Sequence, residues 1–476
     1  MGGKRQFRGG GRGGHNKRAR HGNNQGGGKQ NRGGWEGRQT YPVAEKTNAQ
    51  MEAYYQMQKI VPEDEWEKFL AAARAPLPTT FRISPTCTFA DEIRDKLKAR
   101  HEEFVNDPSN SGDDALRPPQ PLVWYPDELA WFMTVSKNGL KRTPGLEKFH
   151  QYLVAETESG NITRQEAVSM IPPLFMDVEP HHRVLDMCAA PGSKMSQLLE
   201  FVHAKCGSNG VPPGIVLAND ADQDRCKMLI HQMKRLSSPS LLVLNHDAEK
   251  LPMLWMAAPE DTAAEHKKQR PIPFRFDRVL ADVPCSGDGT MRKNVDVWRK
   301  WTPGQGAGLH TLQTRILTRG VELAQEGGVV VYSTCSMNPI ENEAVVAHVL
   351  SQFPNSLELV DVSQELPNLV RSQGLETWRV RDRMDGSTWW DTFEQVPDKL
   401  KQVLSAFEQV PLTLIRCLTS SGGMPTMHAH AHTPHRARSC THTHPEPLNP
   451  TPALTRTHTP RTRAQLPLNP EPACSS

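Results

Sequence analysis

The segment Arg183-Val184-Leu185-Asp186-Met187-Cys188-Ala189-Ala190-Pro191-Gly192-Ser193-Lys194 decides the fold of this chain. A short apolar run ends in a carboxylate and a turn of small residues, and a helical pattern over 194–204 follows. This is how a buried strand feeding a helix reads. The unit then recurs. Candidate strands at 183–187, 215–219, 241–245, 277–283, 328–333 and 357–362 alternate with helical stretches at 194–204, 221–236, 308–325 and from Glu341 to Leu350. Nearly continuous apolar strands separated by helices predict an α/β fold, a parallel sheet covered on both faces. Gly327-Gly328 fits a helix C-cap before the fifth strand.

In an open sheet of this kind, ligands bind beyond the carboxyl ends of the strands. Around Gly192, small residues let backbone N–H groups approach a ligand at the helix N-terminus. The phosphate-binding pattern GxxxxGK[ST] is absent: aligned on Lys194, its glycines fall at Cys188 and Ser193, and Met195 replaces the hydroxyl residue. The dinucleotide pattern GxGxxG is absent too. A nucleoside-type ligand without an extended phosphate chain is the better expectation; a purely structural turn is the alternative. Asp220, at the end of the second strand, can accept hydrogen bonds from both ribose hydroxyls or can simply cap the next helix. Asp247, after the third strand, can accept from an exocyclic amine or be a cap as well.

Strand four runs into Asp282-Val283-Pro284-Cys285 and strand five into Ser333-Thr334-Cys335-Ser336. A single cysteine in a parallel sheet is usually an inert small hydrophobe. Two at the ends of neighbouring strands, one of them following Asp282, point to covalent chemistry on an electrophile. Cytosine is a poor nucleophile at carbon-5. Thiolate addition at carbon-6, with a proton placed on nitrogen-3, makes carbon-5 enamine-like, so that it attacks a methyl cation equivalent. A base then removes the carbon-5 proton and the thiolate leaves. Two thiols and one carboxylate suit that sequence, although spacing alone does not rank the thiols.

The flanking composition differs from this core. Residues 1–40 hold ten Lys/Arg and the single acid Glu36, so about +9 of charge sits there although the whole chain carries +3. A basic arm on a mildly acidic body predicts a polyanionic partner and salt-sensitive affinity. This Gly/Arg-rich arm is expected to be disordered and to bind RNA without sequence preference. Lys17-Arg18-Ala19-Arg20 reads as a weak nuclear import signal. The nine cysteines include no CxxC, which favours a reducing compartment. No apolar stretch approaches the roughly 20 residues needed to span a bilayer. The start lacks a hydrophobic signal region. Residues 41–160 read as a small mixed α/β region, with a helical pattern from Asn48 to Ala73, a strand-like Phe81-Arg82-Ile83 and a helical Phe89–Phe104. Residues 161–420 form the main domain, and 421–476, with seven His among Pro, Thr and Arg, form a low-complexity tail. His428-Ala429-His430-Ala431-His432 has no thiol or acidic partners and is not read as a metal site.

At these residues the chain resembles the Nop/Sun family of RNA cytosine-5 methyltransferases, most closely its tRNA-modifying branch. The resemblance runs from about Gly160 to Asn355. It rests on Arg164–Pro173, the turn Asp186–Lys194, Ala218-Asn219-Asp220, Asp282–Gly289 and Ser333–Glu343. It implies a Rossmann-like methyltransferase sheet, S-adenosylmethionine as cofactor, RNA and foremost tRNA as partner, an RNA-binding role for 41–160, and a nuclear, chiefly nucleolar, location with the cytoplasm second. Carried over by motif, Cys188, Ala189, Ala190, Pro191, Gly192, Ser193 and Lys194 lie against the cofactor, Asp220 binds its ribose and Asp247 its adenine. Asp282 lies between cofactor and target base, Cys335 is the nucleophile, Cys285 assists release, and Lys194 also orients the base. A DNA cytosine methyltransferase would use the Pro-Cys thiol, Cys285, as the attacker instead. The similarity fades after about Lys401. Family members complete the sheet with an antiparallel strand in a Gly-Phe-Phe segment, which is missing here. Leu412–Leu418 would have to substitute, or sheet edges would be exposed. The alternative expectation is therefore a catalytically impaired RNA-binding product of a truncated transcript.

Overall fold

The structure, a computed structural model, describes residues 45–106, 117–142, 146–206, 210–257, 270–382, 388–391, 395 and 414–417. The basic arm 1–40 and the tail 421–476 lie outside the described residues. The first helices among the described residues are two short ones, α1 (Ala49–Met57) and α2 (Trp66–Arg74). One helical stretch was expected across both. Pro62, which has no amide N–H, stands between them just before a single 3-10 turn. Next come β1 (Thr79–Ile83), α3 (Ala90–Asn106), β2 (Gln120–Pro121), β3 (Ala130–Met133), α4 (Lys137–Arg142), α5 (Glu147–Glu158) and β4 (Ile162–Arg164). The four strands pair antiparallel in the order β2-β3-β1-β4. Their core includes Phe81, Ile83, Trp131, Met133, Leu153 and Ile162. Because β4 pairs with β1, this sheet reaches past the expected boundary at residue 160.

Helix α6 (Ala167–Leu174) leads into the larger sheet. Its elements are β5 (Arg183–Asp186), α7 (Ser193–Ala204), β6 (Ile215–Asn219), α8 (Gln223–Met233) and β7 (Leu241–Leu244). A small hairpin, β8 (Leu254–Met256) and β9 (Ile272–Phe274), precedes β10 (Phe276–Asp282). The chain continues through α9 (Asp296–Lys300), α10 (Pro303–Leu323), β11 (Ala324–Ser333), α11 (Glu343–Gln352) and β12 (Leu357–Val360). A two-residue pair, β13 (Val380–Arg381) and β14 (Trp389–Trp390), and finally β15 (Leu414–Cys417) complete it.

The seven strands lie in the order β12-β15-β11-β10-β5-β6-β7. The pairs among β11, β10, β5, β6 and β7 are parallel, and β15 runs antiparallel to both β11 and β12. Six of these strands match the six read from the sequence to within a few residues. The seventh answers the question that the missing Gly-Phe-Phe segment raised. Leu414–Cys417 lies within the proposed substitute and pairs with Val329–Val331 on one side and Leu357–Val360 on the other. Chain order reverses between β5 and β10, which places a ligand crevice at their carboxyl ends.

Successive residues of a strand face opposite sides of the sheet, and both sides are covered here. Leu185, Val279, Ala281, Val330 and Tyr332 pack with Ile316, Leu317 and Val321 of α10 and with Val345, Val346 and Val349 of α11. Their neighbours Val184, Leu280, Val329 and Val331 pack with Leu198, Leu199 and Val202 of α7 and with Leu229 and Met233 of α8. This explains why the strands read as continuous apolar runs.

One buried ion pair joins the two sheets. Arg82 on β1 meets Glu200 on α7, both fully buried. The Arg82 guanidinium also donates to Gln165 Oε1 (2.7 Å) and Ser196 Oγ (2.9 Å). Removing one partner leaves a buried charge unpaired, so Arg82→Ala is expected to lower the unfolding free energy by about 3–5 kcal/mol. The double change Arg82→Met with Glu200→Leu should lose less, and denaturant titration of the three proteins checks this. Ile415→Pro, which removes an amide from the middle of the sheet, should lower the melting temperature of the whole domain rather than fray one edge.

Candidate active site

The register of β10 on β11 fixes the site. Asp282 lies opposite Ser333, and the Val283 N–H donates to the Ser333 carbonyl at 3.1 Å. Both strands end there, so the thiols sit on the loops beyond and not within the strands. The two loops stay joined, with Gly289 N–H donating to the Cys335 carbonyl at 2.9 Å. The Cys285 and Cys335 sulfurs are 3.2 Å apart, and the Cys335 N–H donates to the Cys285 sulfur at 3.3 Å. Both cysteines are free; Cys335 is exposed and Cys285 half-buried.

The thiols are electrostatically unequal. Cys335 is held below the ordinary cysteine range, first by its hydrogen bond with the Cys285 thiol and further by the Lys194 ammonium, against burial and Asp282. Cys285 is pushed upward by the same hydrogen bond, by burial and by the charge of Glu341. The shared hydrogen bond thus acts on the two thiols in opposite directions, and Lys194 at Cys335 and Glu341 at Cys285 add to it.

Lys194, the second residue of α7, reaches across to Asp282, Nζ to Oδ2 2.7 Å. The other Asp282 oxygen accepts from Ser333 Oγ at 2.7 Å. The turn before α7 is tight, and Gly192 carries it with φ at +111°, where a Cβ would lie 2.7 Å from Leu229 Cδ1. No side chain caps α7, which leaves first-turn N–H groups available to a ligand. Behind the turn, Asp186 is buried, and burial together with nearby Asp282 pushes its carboxyl up to about 8. The Asp220 carboxylate is buried too; it accepts from Ala190 N–H (3.2 Å) and Asp222 N–H (3.0 Å) and pairs with Arg225 (3.3 Å). Asp222, not Asp220, caps α8. Asp247 makes no cap bond either; its carboxylate is half-exposed and meets Lys250 at 3.1 Å.

The family model for the 16S rRNA methyltransferase RsmB/F matches residues 173–386. The tRNA (cytosine(49)-C(5))-methyltransferase of Pyrococcus abyssi is 36% identical over 322 residues, 68% of this chain and 85% of that protein. The chain belongs to the Nop/Sun family of RNA cytosine-5 methyltransferases. The multisite-specific tRNA:(cytosine-C(5))-methyltransferase of Saccharomyces cerevisiae is 46% identical over 338 residues, 71% of this chain and 48% of that protein. The tRNA (cytosine(34)-C(5))-methyltransferase of Drosophila melanogaster is 42% identical over 395 residues, 80% of this chain and 51% of that protein. The chain thus spans about half the length of these two relatives. Among solved structures, a methyltransferase homologue from Pyrococcus horikoshii matches with TM-score 0.48 at 22% identity, covering 77% of this chain and 95% of that one.

The family implies S-adenosylmethionine, and the crevice fits it. Asp186, Asp220 and Asp282 act on one another here, with Lys194 and Arg225 as cations beside them. Burial, with Asp282 adding to it, holds the Asp186 carboxyl high, and the positive charge of a sulfonium or an ammonium would favour its ionised form. Asp247 stands free of capping duty at the end of the third parallel strand. Asp220 fits less simply, because its oxygens already serve the backbone and Arg225; a ribose would have to share them.

This Nop/Sun site also uses groups that the sequence did not single out. Glu341 is buried against both cysteine loops, accepting from Ser286 N–H (2.8 Å), Ser286 Oγ (2.6 Å) and Ser336 Oγ (2.7 Å). Asp288 accepts from Met337 N–H (2.8 Å), Trp301 Nε1 (3.2 Å) and the Tyr55 hydroxyl. Burial pushes the Asp288 carboxyl up to about 6. Both lie inside matched motifs, but nothing in an acidic residue of a loop announces that it will be buried.

If the Cys285 thiol polarises Cys335, Cys285→Ala should move the pH midpoint for alkylation of Cys335 upward and slow its reaction at neutral pH. Mass-spectrometric rates with iodoacetamide across pH check this, and an unmoved profile would assign the effect to Lys194 alone.

Proposed function

We propose that the protein methylates carbon-5 of cytosine in RNA, with tRNA the foremost substrate, through a covalent bond between Cys335 and the base. The observation that carries this reading is the thiol pair 3.2 Å apart, polarised toward a Cys335 thiolate and set beside the Lys194–Asp282 pair. Bound S-adenosylmethionine would supply an electrophilic methyl group. Cys188–Lys194, Asp220 and Asp247 would hold it along the strand ends. The Cys335 thiolate adds to carbon-6 of the cytosine, and the displaced electron pair moves onto the ring. Nitrogen-3 takes up a proton from solvent as the charge reaches it; Asp282 accepts the hydrogen bond from the N–H so formed, with the Lys194 ammonium balancing its charge and helping to orient the base. Carbon-5, now nucleophilic, takes the methyl group. After a base removes the carbon-5 proton, nitrogen-3 returns its proton to solvent, the ring pair re-forms the double bond and the Cys335 thiolate is expelled, with Cys285 assisting release. A base stacked within folded RNA must be turned outward to reach this crevice.

The region 41–160 would hold the RNA, aided by the basic arm. The nuclear, nucleolar location belongs to the same proposal and rests on Lys17-Arg18-Ala19-Arg20, outside the described residues. The reading of an impaired RNA-binding product depends on loss of the antiparallel strand. The pairing of Leu414–Cys417 with both neighbours supports the catalytic reading instead.

With labelled S-adenosylmethionine and unmodified tRNA, Cys335→Ala is expected to abolish methyl transfer. Cys285→Ala should instead accumulate a covalent protein–RNA adduct, visible as a denaturation-resistant shift. Full turnover by both variants would rule the mechanism out. Cofactor binding should also depend on pH. In the free protein Asp186 keeps its proton below about pH 8, and a cationic ligand favours its loss. Affinity for S-adenosylmethionine should therefore rise as pH climbs toward 8, with net proton release. S-adenosylhomocysteine, whose thioether is neutral, should show a weaker dependence. Calorimetry in buffers of different ionisation enthalpy separates the two.

A further inference from the structure

The β10–β11 ladder ends at Asp282 and Ser333, three and two residues before the thiols. Beyond that point the strand pairing no longer fixes the distance between the loops. A second pair of side chains lies alongside the thiols: Ser286 and Ser336, each the residue after a cysteine, with their hydroxyl oxygens 3.1 Å apart. Both hydroxyls donate to one atom, Glu341 Oε2, at 2.6 and 2.7 Å. Glu341 Oε1 accepts the Ser286 N–H at 2.8 Å and Gln313 Nε2 at 3.0 Å. Gln313 in turn donates to the carbonyl of Pro284, the residue before Cys285, at 2.9 Å.

We propose that Glu341 is the positioning residue that holds the two thiols at their working separation. Its carboxylate is fully buried, and its four donors satisfy it. Its own backbone is anchored at both ends, since the Tyr332 hydroxyl donates to the Glu341 carbonyl and the Glu341 N–H donates to Asn338 O at 2.9 Å. The carboxylate therefore acts as a fixed point from which both cysteine loops are measured. Asp288 ties the same loops together, but farther along, at Met337 and Gly289. Ser286 and Ser336 adjoin the thiols directly, so a shift of either hydroxyl moves its sulfur. The catalytic consequence rests on the methyltransferase reading above; the structural one does not.

A trivalent arsenical tests the separation without reference to activity. Phenylarsine oxide condenses with two neighbouring thiols, forming two As–S bonds and releasing water. The full-length protein is expected to capture it through Cys285 and Cys335, and Cys285→Ala should abolish that capture. In Glu341→Ala the affinity for the arsenical should fall about 100-fold, because the two-thiol chelate is lost. Alkylation of each thiol singly should continue. In tRNA methylation kcat should fall about 100-fold with KM for tRNA unchanged, and Glu341→Gln, which keeps the shape and one acceptor, should recover part of both losses. Wild-type arsenical affinity in Glu341→Ala would overturn the proposal. If that variant does not fold, Ser336→Ala removes one hydroxyl donor and keeps the carboxylate; wild-type affinity there overturns it equally. A protein that captures the arsenical in a Glu341-dependent way but transfers no methyl group would support this inference and sink the methyltransferase reading.

Discussion

The parallel pairing of β10 with β11, in continuous register from Arg278–Asp282 against Val329–Ser333, is the constraint on which the rest of the structure depends. Parallel strands deliver their carboxyl ends to one edge. Two motifs 50 residues apart in the chain, Asp-Val-Pro-Cys and Ser-Thr-Cys-Ser, therefore emerge side by side. Burial keeps the register, because a slip by one residue would turn Val279, Ala281, Val330 and Tyr332 to the opposite face. The antiparallel strand Leu414–Cys417 supports the same arrangement from the other side. It gives β11 a partner where an open edge would otherwise leave backbone groups unpaired.

Three carboxylates, Asp186, Asp220 and Asp282, and the two thiols meet two cations at that edge, Lys194 and Arg225. Burial first, and the nearby Asp282 second, push the Asp186 carboxyl up to about 8, so an added positive charge there would favour loss of its proton. Lys194 is the counterweight. It pairs with Asp282 and favours the thiolate at Cys335, so one ammonium connects the cofactor turn with the thiol pair.

The N-terminal region is part of this scaffold. Met51, Tyr54, Tyr55, Trp66 and Leu70 pack against Met291, Val297, Trp298 and Trp301 from the chain that follows β10. Tyr55 reaches Asp288 on the Cys285 loop, and Arg82 grips α7, the helix that carries Lys194. Movement of this region would be felt at the reacting groups. A surface recognising RNA there would be coupled to the chemistry through side chains and not through a flexible linker.

Apolar runs and the turns between them were enough to place six strands of the large sheet, since continuous hydrophobicity over a strand is a local property. The family motifs marked both thiols, Asp282, Lys194 and the cofactor turn for the same reason: identity and spacing are written in the chain. The sequence left open whether Asp220 and Asp247 are caps, and the local hydrogen bonds show that Asp222 caps α8. It also left open whether Leu412–Leu418 completes the sheet, because a strand's place depends on a gap made by distant segments. Only the tertiary structure decided that placement, the opposite polarisation of the two thiols and the burial of Glu341 and Asp288. Each depends on which charges and donors surround a group in space, and chains of different sequence separation meet there only after the sheet has formed.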